Sequence, residues 1–152
     1  MYKEAGFHRL VYLAGPVSFL SGKEAVSWRD YTSLKLNSTR FHCLSPLRGK
    51  ESILGDSVIF PTGYAGNASD HVLYRTCKWD VKRCDIFLAN LIGSERVSIG
   101  TCFELAWAED AGKMVVVCIE EGNPHHHAFP LQSSSIMFSN LEEGINYIKD
   151  VL

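Results

Sequence analysis

The chain predicts an α/β domain of three layers, with a parallel sheet between helices. Three observations carry that prediction. Apolar strand-like runs alternate with helix-like runs along the chain, the pattern of strands joined by right-handed crossovers. Lys113-Met114-Val115-Val116-Val117-Cys118-Ile119 is almost unbroken in its apolar character, as a strand covered on both faces must be. The first apolar run, residues 10–14, is cut sharply by Gly15-Pro16, which ends a strand in a loop.

Taken in order, residues 10–14 read as the first strand, and residues 17–22 as a small-residue loop offering the Ser18 and Ser21 hydroxyls. Residues 23–36 read as a helix carrying Trp28, Tyr31, Leu34 and Leu36, ended by Asn37-Ser38-Thr39. Phe41-His42-Cys43-Leu44 is a short second strand, and Ser45-Pro46-Leu47-Arg48-Gly49-Lys50 leaves the sheet. Residues 49–70 are irregular, punctuated by Gly55, Pro61, Gly63, Gly66, Asn67 and Ser69. So long a loop in a compact domain is a lid, a binding loop or a loose insertion. Residues 72–84 read as a helix and 86–91 as the third strand. A helical run over 103–111 precedes the fourth strand, 113–119. Residues 120–129 read as a loop, 135–138 as a fifth strand and 141–152 as an amphipathic closing helix.

The 152 residues make a single domain, 1–152, large enough to bury a core. A content of 46% hydrophobic and 21% charged residues is that of a globular chain. A net charge of -2 and a pI near 6.3 argue against a nucleic-acid polymer as partner. The apolar runs fall short of the ~20 residues of a membrane span, and Met1-Tyr2-Lys3-Glu4-Ala5-Gly6 lacks a signal-peptide core. A cytoplasmic protein without a membrane partner is the expectation. Five scattered cysteines with no C-x-x-C pair indicate neither a disulfide framework nor a zinc site.

The chain's chemistry centres on Val97-Ser98-Ile99-Gly100-Thr101-Cys102-Phe103-Glu104. Strand, loop and helix in that order put Ser98, Gly100 and Thr101 at the mouth of the sheet. The free N–H groups and partial positive charge of a helix start suit an anion there. A carboxylate beside such a loop can serve as a nucleophile on a sugar. Thr101 and Glu104 also fit a capping box, in which the glutamate caps its own helix. Ligands of parallel sheets bind beyond the carboxyl ends of the strands, where strand order reverses. By that rule Tyr12, Asn90 and the 15–22 loop converge on Glu104.

Four stretches together resemble the nucleoside 2-deoxyribosyltransferase family: Val11-Tyr12-Leu13-Ala14-Gly15-Pro16, Leu44-Ser45-Pro46-Leu47-Arg48-Gly49, residues 80–91 from Asp80 to Leu91, and residues 98–108 from Ser98 to Ala108. The resemblance implies a flavodoxin-like or Rossmann-like fold with a five-stranded, mostly parallel sheet. It implies an enzyme that breaks the N-glycosidic bond of deoxynucleosides, as a hydrolase or a base-exchanging transferase. Glu104 matches the family's nucleophile, and Tyr12 the tyrosine that positions it. The chemistry is that of retaining glycosidases. It also implies a homodimer or higher homo-oligomer, in which Phe103, Trp107, His125 and His127 are candidates for the interface or for closing a pocket. It calls for no cofactor or metal.

The same resemblance bears on the substrate. Ser98 stands where the free-nucleoside transferases resemble one another in an aspartate and the related 5′-monophosphate N-glycosidases in a serine. A serine beside helix N–H groups welcomes phosphate, whereas an aspartate repels it. The expected ligand is therefore a small nucleoside or nucleotide, with the 5′-monophosphate favoured. Gly15, Ser18, Ser21 and Arg48 complete the expected phosphate cradle, and Asn90 and Gly100 the substrate loops.

Two positions depart from the family pattern. Cys77 occupies the place of an aspartate that handles the proton of the leaving base, and a thiol is a poor acid there. Asp80, one helical turn on, is the candidate to take over. His125-His126-His127 replaces a His-Asp-His pattern, and consecutive histidines do not easily share one tetrahedral ion. A catalytically silent nucleotide-binding or sensing module is the alternative. A flavin carrier is weaker, because the first loop lacks hydroxyl residues alternating with glycine.

Overall fold

A computed structural model describes residues 8–38, 40–50 and 54–152. The readings made on Met1–Gly6, on Thr39 and on residues 51–53 of the long loop lie outside the described residues.

The sheet has five strands: β1 (Arg9–Ala14), β2 (Phe41–Leu44), β3 (Ile86–Asn90), β4 (Met114–Cys118) and β5 (Ile136–Phe138). They lie in the order β2-β1-β3-β4-β5, and every pair is parallel. The helices are α1 (Gly22–Leu36), α2 (Asp70–Arg83), α3 (Ile99–Asp110), α4 (Ala128–Gln132) and α5 (Leu141–Val151). Each crossover returns the chain to a parallel neighbour, so helices must cover both faces. One face packs Tyr12, Ala14, Phe87, Ala89, Val115 and Val117 against Val81 of α2 and Leu105 and Ala108 of α3. The other packs Val11, Leu13, Ile86, Leu88 and Val116 against Leu36 of α1 and Ile145 and Ile148 of α5. Successive residues of β1 and β3 thus go to opposite faces, as a strand's period of two requires.

Chain order runs outward from β1 to β2, then back across β1 to β3. Strand order therefore reverses between β1 and β3, whose register pairs Tyr12 with Phe87 and Ala14 with Ala89. The loops leaving their carboxyl ends part there and open a crevice.

The long loop is docked, not loose, over its described part. Phe19 donates its N–H to the Ile59 carbonyl at 2.8 Å, and Ile59 donates to Leu20 at 2.7 Å. Lys23 donates to the Gly55 carbonyl at 2.9 Å. Leu47, Ile59 and Ala68 bury themselves on Ala25 of α1. At Gly22 a Cβ would sit 2.5 Å from the Leu54 Cα, so only glycine lets the loop lie this close.

Three sequence readings need correction. The helix after β3 begins at Ile99, not near Phe103, because Ser98 caps it by accepting the Thr101 N–H at 3.3 Å. The capping box belongs to α1. There Ser21 accepts the Glu24 N–H at 3.1 Å and Glu24 accepts the Ser21 N–H at 2.8 Å. Ser21 Oγ thereby accepts from its own helix. Residues 128–129, read as the end of a loop, open the short helix α4 (Ala128–Gln132). Pro130 lies in its first turn, where no backbone N–H is required.

Candidate active site

Tyr12 is the fourth residue of β1 and points to the α2/α3 face; Glu104 is the sixth residue of α3. The Tyr12 hydroxyl donates to Glu104 Oε1 at 2.6 Å, and the pair is buried. The carboxylate turns toward the strand, not back to its own backbone, so it does not cap α3. The Tyr12 ring stacks on Phe87 at 5.7 Å, which fixes the hydroxyl's position.

Burial raises the Glu104 carboxyl to about 7, against the opposing pull of the Tyr12 hydrogen bond, the Arg29 charge and the Cys77 thiol. Tyr12 is raised well above its ordinary range, first by burial and then by the Glu104 charge. The Cys77 thiol lies against both groups and is pushed up to about 12, chiefly by burial. A carboxyl that titrates near neutral beside a fixed hydroxyl donor is equipped to switch between charged nucleophile and bound ester.

Arg29 was not singled out by the sequence. It is fully buried on α1, donating to the carbonyls of Leu13 at 3.1 Å, Gly15 at 3.0 Å and Ala25. Burial lowers its guanidinium to about 10, yet it faces no carboxylate partner among the described residues, and its charge acts on Glu104 and Tyr12. No sequence signal marks an interior arginine here, because its partners are backbone carbonyls that meet it only in the fold.

Asp80 does not present itself to the Tyr12–Glu104 pair as a free acid. It is 1% exposed. One oxygen takes Arg48 at 2.6 Å and the other takes Arg83 at 2.9 Å. Two guanidiniums hold both oxygens, so Asp80 instead pins Arg48, whose other contact is the Ser45 carbonyl at 2.7 Å.

The crevice at the reversal point holds a cavity of about 500 Å³ lined by Pro16, Ser18, Phe19, Trp28, Asn90 and Arg96, among others. Gly15 lies beneath it, where a Cβ would meet the Asn90 carbonyl at 2.7 Å. Phe19 takes a left-handed backbone, φ 70°, and carries the Arg96 guanidinium 4.6 Å above its ring. Such a φ on a bulky residue is uncommon and is held here by Ile59. Tyr12 and Glu104 are not among the cavity's lining residues; Glu104 retains 8% exposure.

At the start of α3, a Cβ on Gly100 would meet open space. The Ser98 hydroxyl lies 2.9 Å from that of Thr101. The Ser98 N–H donates to His125 Nε2 at 2.8 Å, and His125 Nδ1 lies 2.9 Å from Asn123 Oδ1. Asn123 in turn donates to the Leu91 carbonyl at 2.6 Å. This buried chain ties the end of β3 to the start of α3. The three histidines diverge: His126 turns to the Glu120 carbonyl, and exposed His127 accepts the Phe129 N–H at 3.3 Å and caps α4.

An all-parallel sheet with a crevice at its reversal point defines a three-layer α/β domain of the ligand-binding kind. The same fold is found in a conserved protein from Enterococcus faecalis V583, at a TM-score of 0.68 and 16% identity over 96% of this chain and 100% of that one. It is found also in the CMP N-glycosidase BcmB of Clostridium botulinum, at a TM-score of 0.57 and 19% identity over 93% of this chain and 98% of that one. A model of the nucleoside 2-deoxyribosyltransferase family matches residues 11–147, and the chain belongs to that family. No curated protein sequence matches it. Among the described residues no helix is long and apolar enough to cross a membrane.

Proposed function

We propose that this chain cleaves the N-glycosidic bond of a 2′-deoxynucleoside, with its 5′-monophosphate preferred, through a covalent glycosyl-enzyme on Glu104. The observation that carries the reading is the buried hydrogen bond of 2.6 Å from Tyr12 to Glu104. Tyr12 holds Oε1 and leaves Oε2 to attack C1′ from below the sugar. The C1′–N bond breaks with its electron pair on the base, and the anomeric carbon passes through an oxocarbenium-like state. Water or a second base then attacks C1′ and releases the carboxylate. Because burial raises Glu104 to about 7, its attacking form is present from neutral pH upward.

The open α3 N-terminus at Gly100, Ser18 in the cavity wall and Arg96 at its rim support a phosphate on the sugar. Incubation with a panel of nucleosides and 5′-monophosphates, with and without an acceptor base, tests the reading by chromatography of released bases. Base release is expected, faster from monophosphates. Binding without release from every donor favours the alternative, a catalytically silent nucleotide-binding module, for which the poor acidity of Cys77 is the supporting observation.

Homo-oligomerisation belongs to the same proposal. Between α3 and α4 an apolar groove of about 450 Å³ is lined by Phe103, Trp107, Phe129 and Pro130, with Phe103 51% and Phe129 80% exposed. Continuous exposed apolar surface of this kind marks an interface, and the family resemblance points to a second copy of this chain. Sedimentation should show a dimer or larger, and Phe103→Ser with Phe129→Ser should shift it to monomer. A wild-type monomer at high concentration would remove this part of the proposal.

A further inference from the structure

We propose that His125 is a positioning residue for the 5′-phosphate of the substrate: through Ser98 it holds the loop between β3 and α3 in its binding shape, at the end of a hydrogen-bonded chain that starts at Glu120. The inference rests on the nucleotide substrate of the proposed function.

That loop has two tasks. Ile92, Gly93, Ser94, Glu95 and Arg96 line the cavity at the reversal point, and Ser98 caps the helix that carries Glu104. A loop at the end of a strand leaves backbone groups in need of partners. The segment 120–125, which leaves β4, supplies them at three points. Asn123 Nδ2 donates to the Leu91 carbonyl at 2.6 Å and to Glu120 Oε2 at 3.0 Å. Glu120 Oε1 accepts the Gly93 N–H at 3.0 Å. His125 Nε2 accepts the Ser98 N–H at 2.8 Å. One short segment therefore holds the loop at both ends and at Gly93 between them.

The protons of this chain have one consistent arrangement. A backbone N–H can only donate, so Nε2 of His125 is bare and the ring proton sits on Nδ1. Nδ1 donates to Asn123 Oδ1 at 2.9 Å, and the His125 N–H donates to the same oxygen at 3.0 Å. The amide nitrogen of Asn123 is then left for Leu91 and Glu120. His125 is 1% exposed, so water does not replace a partner lost there. A second proton, on Nε2, would set donor against donor at the Ser98 N–H. Ser98 and Asn123, which face the ring, are uncharged. Burial holds the imidazole below its ordinary range, against the opposing pull of the Glu120 charge. His126 acts on Glu120 in turn and sets its ring against the Glu120 carbonyl. The form that accepts from Ser98 is thus the one present at neutral pH, and acidification removes it.

Glu104 has its own support, the Tyr12 hydroxyl of β1 at 2.6 Å. Loss of the His125 contact loosens the phosphate end of the site and leaves the nucleophile with its partner. The consequence is weaker binding with the chemical step largely kept.

The test measures kcat and KM for base release from a deoxynucleoside 5′-monophosphate and from the matching deoxynucleoside. His125→Leu leaves the Ser98 N–H unpaired. It is expected to raise KM for the monophosphate about tenfold, the scale of one hydrogen bond to a charged group. Its kcat should stay within about threefold of wild type, and its KM for the nucleoside should change little. His125→Gln can still accept from Ser98 but takes up no proton, so it should match wild type at pH 7. Between pH 7 and pH 5 the wild-type KM for the monophosphate should rise more steeply than that of the glutamine variant, because the phosphate's own titration is common to both. A folded leucine variant with unchanged KM, or with equal losses on both donors, would overturn the positioning role. So would a glutamine variant as weak as the leucine one at pH 7, or one that tracks wild type down to pH 5. If circular dichroism shows the leucine variant unfolded, the glutamine comparison decides. If wild type releases base from neither donor, the reading of Glu104 fails, and the same comparisons are read as dissociation constants by titration calorimetry. Absence of monophosphate binding to wild type would end both readings.

Discussion

Glu104→Gln is expected to reduce base release by roughly 10⁴-fold or more, the scale on which removing a covalent nucleophile acts. The amide keeps the shape of the carboxyl, and its oxygen can still accept from Tyr12, so the variant should fold and bind nucleotide. What it lacks is a negative oxygen able to close a bond to C1′. Two measurements separate loss of chemistry from loss of structure. Titration calorimetry with a deoxynucleoside 5′-monophosphate should show affinity close to wild type. Mass spectrometry of rapidly quenched wild-type reactions should show one sugar phosphate added at residue 104, absent in the variant. Turnover within tenfold of wild type would mean that the carboxylate attacks nothing and that Tyr12 and Glu104 are a structural pair.

The placement of that pair was legible in the sequence because two simple rules cooperate. Unbroken apolar runs mark strands buried on both faces, and the order of elements fixes where β1 and β3 part. Tyr12 near the end of β1 and Glu104 early in the next helix then have to meet. What the sequence hid depends on through-space partners. Asp80 read as a spare acid because Arg48 and Arg83 converge on it only in the fold. Thr101 and Glu104 fitted a capping box, but the cap lies three residues earlier, at Ser98, so Glu104 is in the second turn and free to face Tyr12. Arg29 carried no signal of its own, because the backbone carbonyls it binds meet it only in the fold. His125, a candidate with His127 for closing a pocket, lies in the fold behind Ser98.

The second large effect is on stability. In the folded chain Glu104 holds its proton up to about 7, with burial the main cause, whereas the unfolded chain releases it from the ordinary value of 4.5. Between those values the native state binds more protons than the unfolded state, so stability falls as pH rises through the window. At 1.36 kcal/mol for each unit of difference, the loss is on the order of 3 kcal/mol, a large share of a small domain's stability. His125 works in the opposite sense. Burial lowers it below 6.5, so its contribution is lost as pH falls. The two overlap, and the wild-type curve alone does not separate them. The difference between wild type and Glu104→Gln does, because His125 is common to both. Urea denaturation at intervals from pH 4 to pH 8 should therefore show the glutamine variant gaining on wild type as pH rises, with the gain levelling off above 7. Beyond pH 9 the buried thiols of Cys43, Cys84 and Cys118, all raised chiefly by burial, should erode both proteins alike. A difference curve flat across pH 4 to 8 would mean that Glu104 is already ionised in the folded chain at low pH, and so is solvated or paired in a way that its burial against Tyr12 does not allow.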